Sequence, residues 1–283
     1  MSERYYVPDA QYSIAELMKK EVQGQIALSC GLRIPDGIIV HPGTDFVWDK
    51  YPCITKPGKS VQGKGKADIH VAANQDELRT CLREIEADEV QIQEYIKKKM
   101  EFQLIGCSLN NGDMIFIPGF TSIIRQPMNT NTGYLQYSPI QQLQYNQEAV
   151  KKFIRKTGYS GLFSVEFLRD ENDNDYFLEM NMRNDGNAYC VKSAGVNLPY
   201  LWCYYQVNNV LPQESLEAKE SVYFIPDFLD MKAGIKRVGI IKWIAQFFGA
   251  KSHSLYNTKD MKPFMFDLHR RIVHHIKVPL KRR

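Results

Sequence analysis

The sequence predicts an α+β protein with a basic, helical C-terminal extension. Three observations support this fold class: two strands that can pair between Leu162 and Arg183, a helical pattern between Asp9 and Cys30, and a basic segment from Met231 to Arg283. The 283 residues, 44% of them hydrophobic, suffice for one large domain or for two lobes that each bury a core. We expect three parts, over residues 1–98, 99–220 and 221–283.

The positive charge is concentrated at the C-terminal end of the chain. The net charge is +4, but the segment from Met231 to Arg283 contains 13 lysines and arginines against Asp260 and Asp267, which gives +11. The 230 preceding residues therefore carry −7. This asymmetry makes the C-terminal segment electrostatically distinct from the rest of the chain.

Membrane-spanning, secreted and zinc-binding proteins are not indicated. The longest apolar stretch, from Val238 to Ala250, contains Lys242 and is too short to span a bilayer, and the N-terminus has no apolar run typical of a secretion signal. The six cysteines lie singly, without the CxxC spacing of a zinc site or a redox pair. We therefore expect a cytoplasmic protein with reduced thiols, and we expect no nucleic-acid partner.

The stretch from Phe163 to Asn187 predicts two antiparallel strands around a polar turn. Phe, Leu, Val and Tyr dominate both strands, and six turn-forming or acidic residues, 170–175, separate them. If residues 172 and 173 form the centre of the turn, Glu166 lies directly opposite Glu179. Because side chains alternate along a strand, Asn181 and Arg183 share the face of Glu179.

Two carboxylates that face each other across a ladder repel, so either both point to water or a cation lies between them. Mg²⁺ prefers oxygen ligands and is held by one or two carboxylates together with substrate phosphates, which fits Glu166, Glu179 and the amide oxygen of Asn181. Arg183 could then hold an anionic oxygen. The alternative is an antiparallel hairpin with a solvated polar face.

A second candidate segment is the loop over residues 56–66, KPGKSVQGKGK, with three glycines and four lysines. Glycines allow backbone N–H groups to approach an anion closely and lysines add charge, so the loop fits a flexible cover over a polyphosphate. It contains no Walker A motif, and an ordinary surface hairpin is the alternative.

The remaining pattern predicts further helices, strands and loops. A helix over residues 9–30 would contain Lys19 and Lys20, for which a solvated helical face is the alternative role. The segment QIQEYI, residues 91–96, predicts a strand whose free backbone groups could hold an adenine. Residues 128–144, rich in Asn, Thr, Gly and Gln, predict a long loop of the kind that often carries substrate contacts.

The order of these features resembles the ATP-grasp superfamily. A helix lysine, a strand lysine, a glycine-rich loop, a QEY strand end, and then Glu and E-x-N-x-R on paired strands follow one another between Asp9 and Leu201. The segments YPCITKP, GYSGLFSVEF, YFLEMNMRNDG and AGVNLPYLW are most similar to carboxylate-amine ligases related to D-aspartate ligase and to short carbamoyl-phosphate-synthase-like proteins. The resemblance implies an ATP-grasp fold with two α+β lobes and ATP between them.

The resemblance also implies roles for single residues. Lys56 matches the strand lysine on the α- and β-phosphates, and Lys19, preferred to Lys20, matches an earlier nucleotide-facing lysine. Arg183 matches the arginine that stabilises phosphate or acyl-phosphate oxygens, and it is the predicted catalytic residue together with Lys56. Arg125 is a weaker match. Nucleotide contacts are implied for Gly63, Gly65, Gln93, Glu94, Tyr95, Ile96 and Glu101, and ligation of Mg²⁺ or Mn²⁺ for Glu166, Glu179 and Asn181.

The implied function is an ATP-dependent carboxylate-amine ligase with small-molecule substrates, in which the carboxylate is activated as an acyl phosphate. Cell-envelope or polysaccharide precursor metabolism is one setting. The alternatives are a nucleotide-binding regulatory or scaffolding protein without turnover, and an ATP-grasp kinase. Related enzymes usually carry an N-terminal Rossmann-like domain ahead of the grasp, whereas this chain starts almost at the grasp. We expect a minimal member, a piece, or a chain that obtains this domain from a partner or in an oligomer.

The C-terminal extension lies outside the resemblance. Ile240 to Phe248 form an aromatic-rich helical stretch with lysines and an arginine around it, and FDLHRRIVHHIKVPLKRR follows as an amphipathic, basic segment. Peripheral contact with an anionic membrane is one interpretation, and a packed helix with a solvated face is the other. The histidines of this segment lack carboxylate or cysteine companions, so we do not expect them to bind a metal.

Overall fold

The computed structural model describes residues 12–57, 69–127 and 132–280, with side chains as far as residue 273. Helices and strands occur in mixed order along these residues. The helices are α1 (Ile14–Leu17), α2 (Lys20–Ser29), α3 (Gln75–Glu84), α4 (Gln147–Thr157), α5 (Tyr189–Ser193), α6 (Leu198–Asn208), α7 (Phe228–Val238), α8 (Ile240–Gly249) and α9 (Lys262–Leu280). The strands are β1 (Gly37–Val40), β2 (Cys53–Pro57), β3 (His70–Ala72), β4 (Val90–Glu94), β5 (Lys98–Leu109), β6 (Met114–Arg125), β7 (Tyr134–Pro139), β8 (Gly161–Asp170), β9 (Asp175–Asn181), β10 (Val222–Ile225) and β11 (Ser252–His253).

The smaller sheet lies within residues 37–94 and has the strand order β1-β4-β2-β3, with antiparallel pairing throughout. Helix α3 covers it and buries Leu78 and Leu82 in a separate hydrophobic core. The helix begins at Asn74, whose side chain accepts a hydrogen bond from the backbone N–H of Glu77 and so satisfies a group that the helix leaves unpaired. This sheet and helix form the first lobe.

The larger sheet has the strand order β11-β10-β7-β6-β5-β8-β9 among the described residues, and β10 and β11 are its parallel pair. Helices α2 and α4 bury their apolar residues against one face, where Phe102 stacks on Phe167 with ring centroids 5.1 Å apart. Helices α5 and α6 bury Val191 and Leu201 against the other face. Both faces of the sheet are therefore covered, and β8 and β9 reach the edge that carries the site.

The helix predicted over residues 9–30 is interrupted in its described part. Met18 and Lys19 separate α1 from α2, and Lys19 has an extended backbone with φ −80° and ψ 121°. The side chain of Gln23 donates a hydrogen bond of 2.6 Å to the carbonyl oxygen of Leu17 next to this break. A new helix, α2, begins at Lys20. Its side chains therefore point in other directions than they would in one continuous helix.

The prediction of a long loop over residues 128–144 is wrong for Tyr134–Pro139, which form β7. This strand pairs with β6 on one side and with β10 on the other. Its buried Leu135 and Tyr137 belong to the core beneath α5 and α6. Tertiary pairing on both sides therefore overrides a composition that is typical of loops.

The C-terminal extension joins the larger sheet through β10 and β11 and continues into α7, α8 and α9. The side chain of Arg125, at the end of β6, donates hydrogen bonds of 2.8 and 2.6 Å to the carboxylate of Asp230 in α7. Trp243 in α8 donates to the same carboxylate at 3.0 Å. Within the described residues, no helix is long and apolar enough to cross a membrane. The predicted division at residues 98 and 220 stays a prediction.

Candidate active site

A cleft of about 430 Å³ lies between the smaller sheet and the β8–β9 edge of the larger sheet. Charged side chains from both lobes line it: Lys20 from α2, Lys56 from β2, and Glu166 and Glu179 from β8 and β9. Apolar residues also line it, and apolar side chains suit the flat face of a heterocycle. They include Leu28, Ile34, Pro35, Ile38, Ile39 and Ile69.

Glu166 pairs directly with Glu179 across the β8–β9 ladder, and Ser164 pairs with Asn181. The predicted register at the site is therefore confirmed. A bulge between Glu166 and Phe167 shifts the pairing by one residue towards the turn, where Arg169 pairs with Asp175. Without this extra residue, the register set by the turn would place Glu166 opposite Leu178.

Burial raises the pKa of the Glu166 carboxyl to about 7, and the negative charges of Glu179, Asp185 and Glu101 act in the same direction. A hydrogen bond of 3.0 Å from the amide of Gln103 opposes this shift. The raised pKa means that the ionised carboxylate is poorly solvated and, to a lesser extent, repelled by the nearby carboxylates. A bound cation would relieve this repulsion.

Asn181 contacts Glu166, and the exposed Arg183 contacts Asn181, but neither residue is among those that line the cleft. The amide nitrogen of Asn181 donates to Glu166 at 3.0 Å, and its amide oxygen, the atom predicted to bind a metal, accepts from Arg183 at 3.3 Å. Within the described residues, no group of three or more His, Cys, Asp or Glu could hold a metal ion on its own. A metal in this cleft would therefore need ligands beyond the two glutamates.

The structure brings Lys20 to the cleft and leaves Lys19, the preferred residue, outside the cleft lining. The Nζ atom of Lys20 lies 3.0 Å from a carboxylate oxygen of Glu179. Gln23, one helical turn further on, donates to the backbone oxygen of Met180 at 2.9 Å and accepts from its N–H at 2.7 Å. This amide pair attaches α2 to β9 and so orients Lys20 towards the glutamates.

Lys56 is largely desolvated in the cleft, and this burial lowers its pKa to about 8. The charge of Lys20 acts in the same direction, whereas Glu179, Glu101 and Glu166 oppose it. Its Nζ atom donates to the side-chain oxygen of Gln93 at 3.0 Å. Two lysines close together in one cleft suit a polyanionic ligand such as a polyphosphate.

The predicted interlobe segment contributes Gln93 to the cleft lining. Glu94 lies beside it and accepts a hydrogen bond of 2.9 Å from the backbone N–H of Asp36, while the backbone N–H of Tyr95 donates to Pro52 at 2.9 Å. Tyr95 is exposed, Ile96 is half-buried, and Glu101 forms an ion pair of 2.5 Å with Lys98. Gly63 and Gly65 lie outside the described residues.

A buried polar network supports the carboxylate pair, and sequence reasoning missed it. Gln103 bridges the site: its amide nitrogen donates to Glu166, and its oxygen accepts from Asn187 at 3.0 Å. The hydroxyl of Ser164 donates to Asp185 at 2.9 Å, and the backbone N–H of Asn187 donates to the same carboxylate at 2.8 Å. Alternation along β8 could have indicated Ser164, which shares a face with Glu166.

The weaker match Arg125 does not reach the cleft. Its guanidinium group is buried, donates hydrogen bonds to Asp230 and Gln246, and lies 4.9 Å over the ring of Tyr134. Arg125 therefore attaches the C-terminal helices to the larger sheet. Its position does not support a contact with phosphate.

Comparisons with known proteins show the family of this chain. The family model of the ATP-grasp domain matches residues 44–191. The chain belongs to the ATP-grasp family. The predicted family and the α+β ATP-grasp fold are thus confirmed.

Curated relatives are similar over part of their length. An N5-carboxyaminoimidazole ribonucleotide synthase of Staphylococcus aureus (strain COL) is 27% identical over 196 residues, which covers 67% of this chain and 50% of the relative. A formate-dependent phosphoribosylglycinamide formyltransferase of Bacteroides thetaiotaomicron is 26% identical over 162 residues, which covers 52% of this chain and 39% of the relative. The chain thus spans about half the length, or less, of these curated relatives.

Solved structures share the ATP-grasp fold. The Staphylococcus aureus N5-carboxyaminoimidazole synthetase complexed with ADP matches with a TM-score of 0.63 and 21% identity, over 78% of this chain and 59% of that chain. The L-amino acid ligase from Bacillus licheniformis matches with a TM-score of 0.57 and 16% identity, over 74% of this chain and 53% of that chain. At these identities, the likeness establishes the fold alone.

Proposed function

We propose that the protein is an ATP-dependent ligase that activates a carboxylate as an acyl phosphate and joins it to an amine, releasing ADP and phosphate. The observation that carries the proposal is the arrangement of Lys20 and Lys56 around the facing pair of Glu166 and Glu179 in one cleft. Cationic side chains suit the phosphates of a nucleotide, and paired carboxylates suit the divalent cation that accompanies it.

The donor atoms of the cleft fit Mg²⁺ or Mn²⁺. Glu166, Glu179 and Asn181 carry oxygen atoms, the ligand type that these hard cations prefer. They are too few to complete an octahedral shell, so phosphate oxygens and waters would complete it. A cation held there supplies charge neutralisation for the transferring phosphoryl group.

In the proposed reaction, an oxygen of the acceptor carboxylate attacks the γ-phosphorus of ATP, and ADP leaves. The amine nitrogen then attacks the acyl carbon and gives up a proton, and phosphate departs with one oxygen of the original carboxylate. Lys56 and Arg183 would stabilise the negative charge on the phosphoryl oxygens, and Lys20 would bind the nucleotide phosphates. Water must be excluded while the acyl phosphate exists.

The names of the relatives guide the choice of substrates. They describe a carboxyamino product, formate dependence and amino acid ligation. We therefore propose that the carboxylate is a small acid, and that one-carbon acids belong in a screen beside amino acids and sugar acids. The setting in cell-envelope or polysaccharide precursor metabolism rests on the resemblance to D-aspartate ligase alone.

Hydroxylamine provides a test that does not require the natural amine. The protein is incubated with ATP, Mg²⁺, hydroxylamine and pools of carboxylic acids, and ADP and hydroxamate are measured. We expect both products to appear together for one pool, and to disappear with Glu166→Gln. Glu171→Gln, in the exposed turn of the same hairpin, is the matched control and should keep the activity.

The two alternative functions give different results in the same assay. An ATP-grasp kinase would form ADP and a stable phosphorylated product without any dependence on the amine. A regulatory or scaffolding protein would bind the nucleotide and form no ADP with any pool. A partner or second copy that supplies a further domain stays a prediction, and the predicted lipid contact concerns a different surface, formed by the C-terminal helices.

A further inference from the structure

We propose that the outer surface of α8, with the basic residues around it, docks on the surface of an anionic lipid bilayer. We call this surface the α8 face. It consists of the exposed Ile240, Ile241, Ile244 and Phe248, of which Ile241 is 83% and Phe248 69% exposed. Large apolar side chains in water beside basic residues are typical of helices that lie in a membrane interface.

The α8 face is not the packing face of its helix. Trp243 and Phe247 occupy the inner side, and both are buried in a core formed with Ile225 and Ala250. The ring of Phe247 contacts Phe264 of α9 with centroids 6.2 Å apart. The ring of Phe248 touches the edge of this core, with centroids 5.2 Å from Phe247 and 6.3 Å from Tyr256, although 69% of the residue is exposed. The exposed isoleucines are not among the residues that form this core.

Contacts with α7 and with the larger sheet hold α8 in place, so its outer side stays turned outward. Asp230 joins α7 to Arg125 of the larger sheet and to Trp243 of α8. Arg125 also donates to Gln246 of α8 at 3.1 Å. The indole approaches Gly234 so closely that a Cβ there would lie 2.2 Å from it. This packing holds the α8 face in one orientation.

The charges around α8 favour an anionic partner. Lys232 and Lys236 of α7 and Lys242 of α8 are exposed, and none of them forms an ion pair with a carboxylate within the described part of the chain. Asp230 is already paired with Arg125, and Asp267 of α9 is paired with Arg270 and Arg271. Among the charged residues of α7 and α8, those without an ion-pair partner in the described part of the chain are therefore positive.

This excess of positive charge favours a lipid surface over a symmetric contact with a second copy of the chain. A two-fold interface in which the α8 faces of two copies meet would bring two basic surfaces together, and the +11 of residues 231–283 would repel itself. Anionic headgroups attract the lysines, while the acyl region receives Ile241 and Phe248. The binding is peripheral, since the helix lies along the interface and does not cross it.

Docking of the α8 face leaves the nucleotide cleft accessible. Strands β10 and β11, next to α7 and α8, form one edge of the larger sheet, whereas β8 and β9, with the two glutamates, form the other edge. Strands β7, β6 and β5 lie between them. A protein attached through α8 can therefore still exchange small substrates with the solution, and the docking does not depend on the proposed reaction.

The experiment is flotation of the full-length protein with vesicles at two salt concentrations. One set is phosphatidylcholine, and the other contains about one third phosphatidylserine, a composition that carries the negative surface potential basic segments recognise. The test variant is Ile241→Ser with Phe248→Ser. The matched control is Val207→Ser with Val210→Ser, because Val207 is also 83% exposed and Val210 56%, on and after α6. Thermal unfolding of each variant checks that it folds.

We expect recovery with the anionic vesicles only, and a decrease at high salt. We also expect a loss of about tenfold in the α8 variant but not in the control, since the variant lacks two apolar side chains that would enter the acyl region of the bilayer. Equal recovery of the α8 variant and the wild type would overturn the proposal, because the charge alone would then account for binding. Absence of binding to either vesicle would overturn it as well. Self-association that the α8 variant abolishes, without vesicle binding, would identify a second copy as the occupant instead.

Discussion

Glu166 and Glu179 stand directly opposite each other on neighbouring strands, a placement that isolated carboxylates avoid. The pKa of Glu166 is raised to about 7 by burial and by nearby negative charge, and Lys20 contacts Glu179. The protein therefore holds an unfavourable charge arrangement that a cation with a polyphosphate would relieve. The predictions below start from this arrangement.

Mg²⁺ with ATP should stabilise the wild-type protein and much less the Glu179→Gln variant. At ligand about a hundredfold above Kd, one-site linkage gives roughly 2.7 kcal/mol of stabilisation. The variant lacks one of the two facing carboxylates and should lose the Mg²⁺-dependent part of this gain. The measurement is the shift of the melting temperature with and without chelator, and Glu171→Gln serves as the control. An unchanged shift of the melting temperature in Glu179→Gln would show that Glu179 does not bind the metal.

Lys20 and Lys19 should differ in nucleotide binding, although they are neighbours in sequence. Lys20 lines the cleft beside Glu179, whereas Lys19 is exposed outside it. Loss of one charge-assisted phosphate contact costs on the order of 1.5–3 kcal/mol, so Lys20→Ala should raise the Kd for ADP at least about tenfold. Lys19→Ala should leave it within about twofold of the wild type. Calorimetry measures both, and equal effects would contradict the assignment of Lys20.

The ligand-free protein should become more stable at neutral and basic pH when Glu166 is replaced by Gln. The folded-state pKa of about 7 lies above the ordinary value of 4.5, so the folded state binds the proton more tightly than the unfolded state. The stabilising contribution is present below about 4.5 and is lost as the pH rises through about 7. Because Gln does not ionise, the Glu166→Gln variant does not lose this stability as the pH rises.

The difference in unfolding free energy between Glu166→Gln and the wild type should therefore grow between pH 5 and pH 8, by about 2 kcal/mol. Urea unfolding at each pH measures it, and Glu171→Gln should show no such growth. A constant difference would mean that Glu166 titrates normally. The same protonation should weaken Mg²⁺ binding below about pH 7, since the metal requires the ionised carboxylate.

The ion pair between Arg125 and Asp230 should attach the C-terminal helices to the larger sheet. Both side chains are buried, so Asp230→Ala leaves an uncompensated positive charge and should cost about 3–5 kcal/mol. Glu220→Ala removes the partner of Lys251 in an exposed pair and should cost less than about 1 kcal/mol. Urea unfolding compares the two. Similar costs would show that this pair does not hold the extension.

The sequence allowed the site to be predicted where local patterns determine it. Alternation on two short strands sufficed to predict the facing glutamates, because the hairpin is local. The assumed turn centre gave the correct partner although the turn itself pairs Arg169 with Asp175, since a bulge restores the offset before Glu166. The bulge was not visible in the pattern.

Features that depend on distant partners could not be predicted. The choice between Lys19 and Lys20 depends on the break before α2 and on the contact of Gln23 with Met180, 157 residues away. The strand at Tyr134–Pro139 forms because β6 and β10 pair with it on both sides, and β10 comes much later in the chain. The contact of Gln103 with Glu166 and Asn187 likewise joins three separated segments. Secondary-structure propensity within a short sequence window carries no information about such distant partners.

The central claim is activation of a carboxylate by phosphoryl transfer, and the fate of the carboxylate oxygen tests it most directly. Once the screen identifies the acid, it is supplied with a heavy oxygen isotope in its carboxylate, together with ATP, Mg²⁺ and the amine, and the products are analysed by mass spectrometry. The account predicts that inorganic phosphate acquires one heavy oxygen and that ADP acquires none. Heavy oxygen in AMP, with release of pyrophosphate, would show an adenylate route and contradict the account.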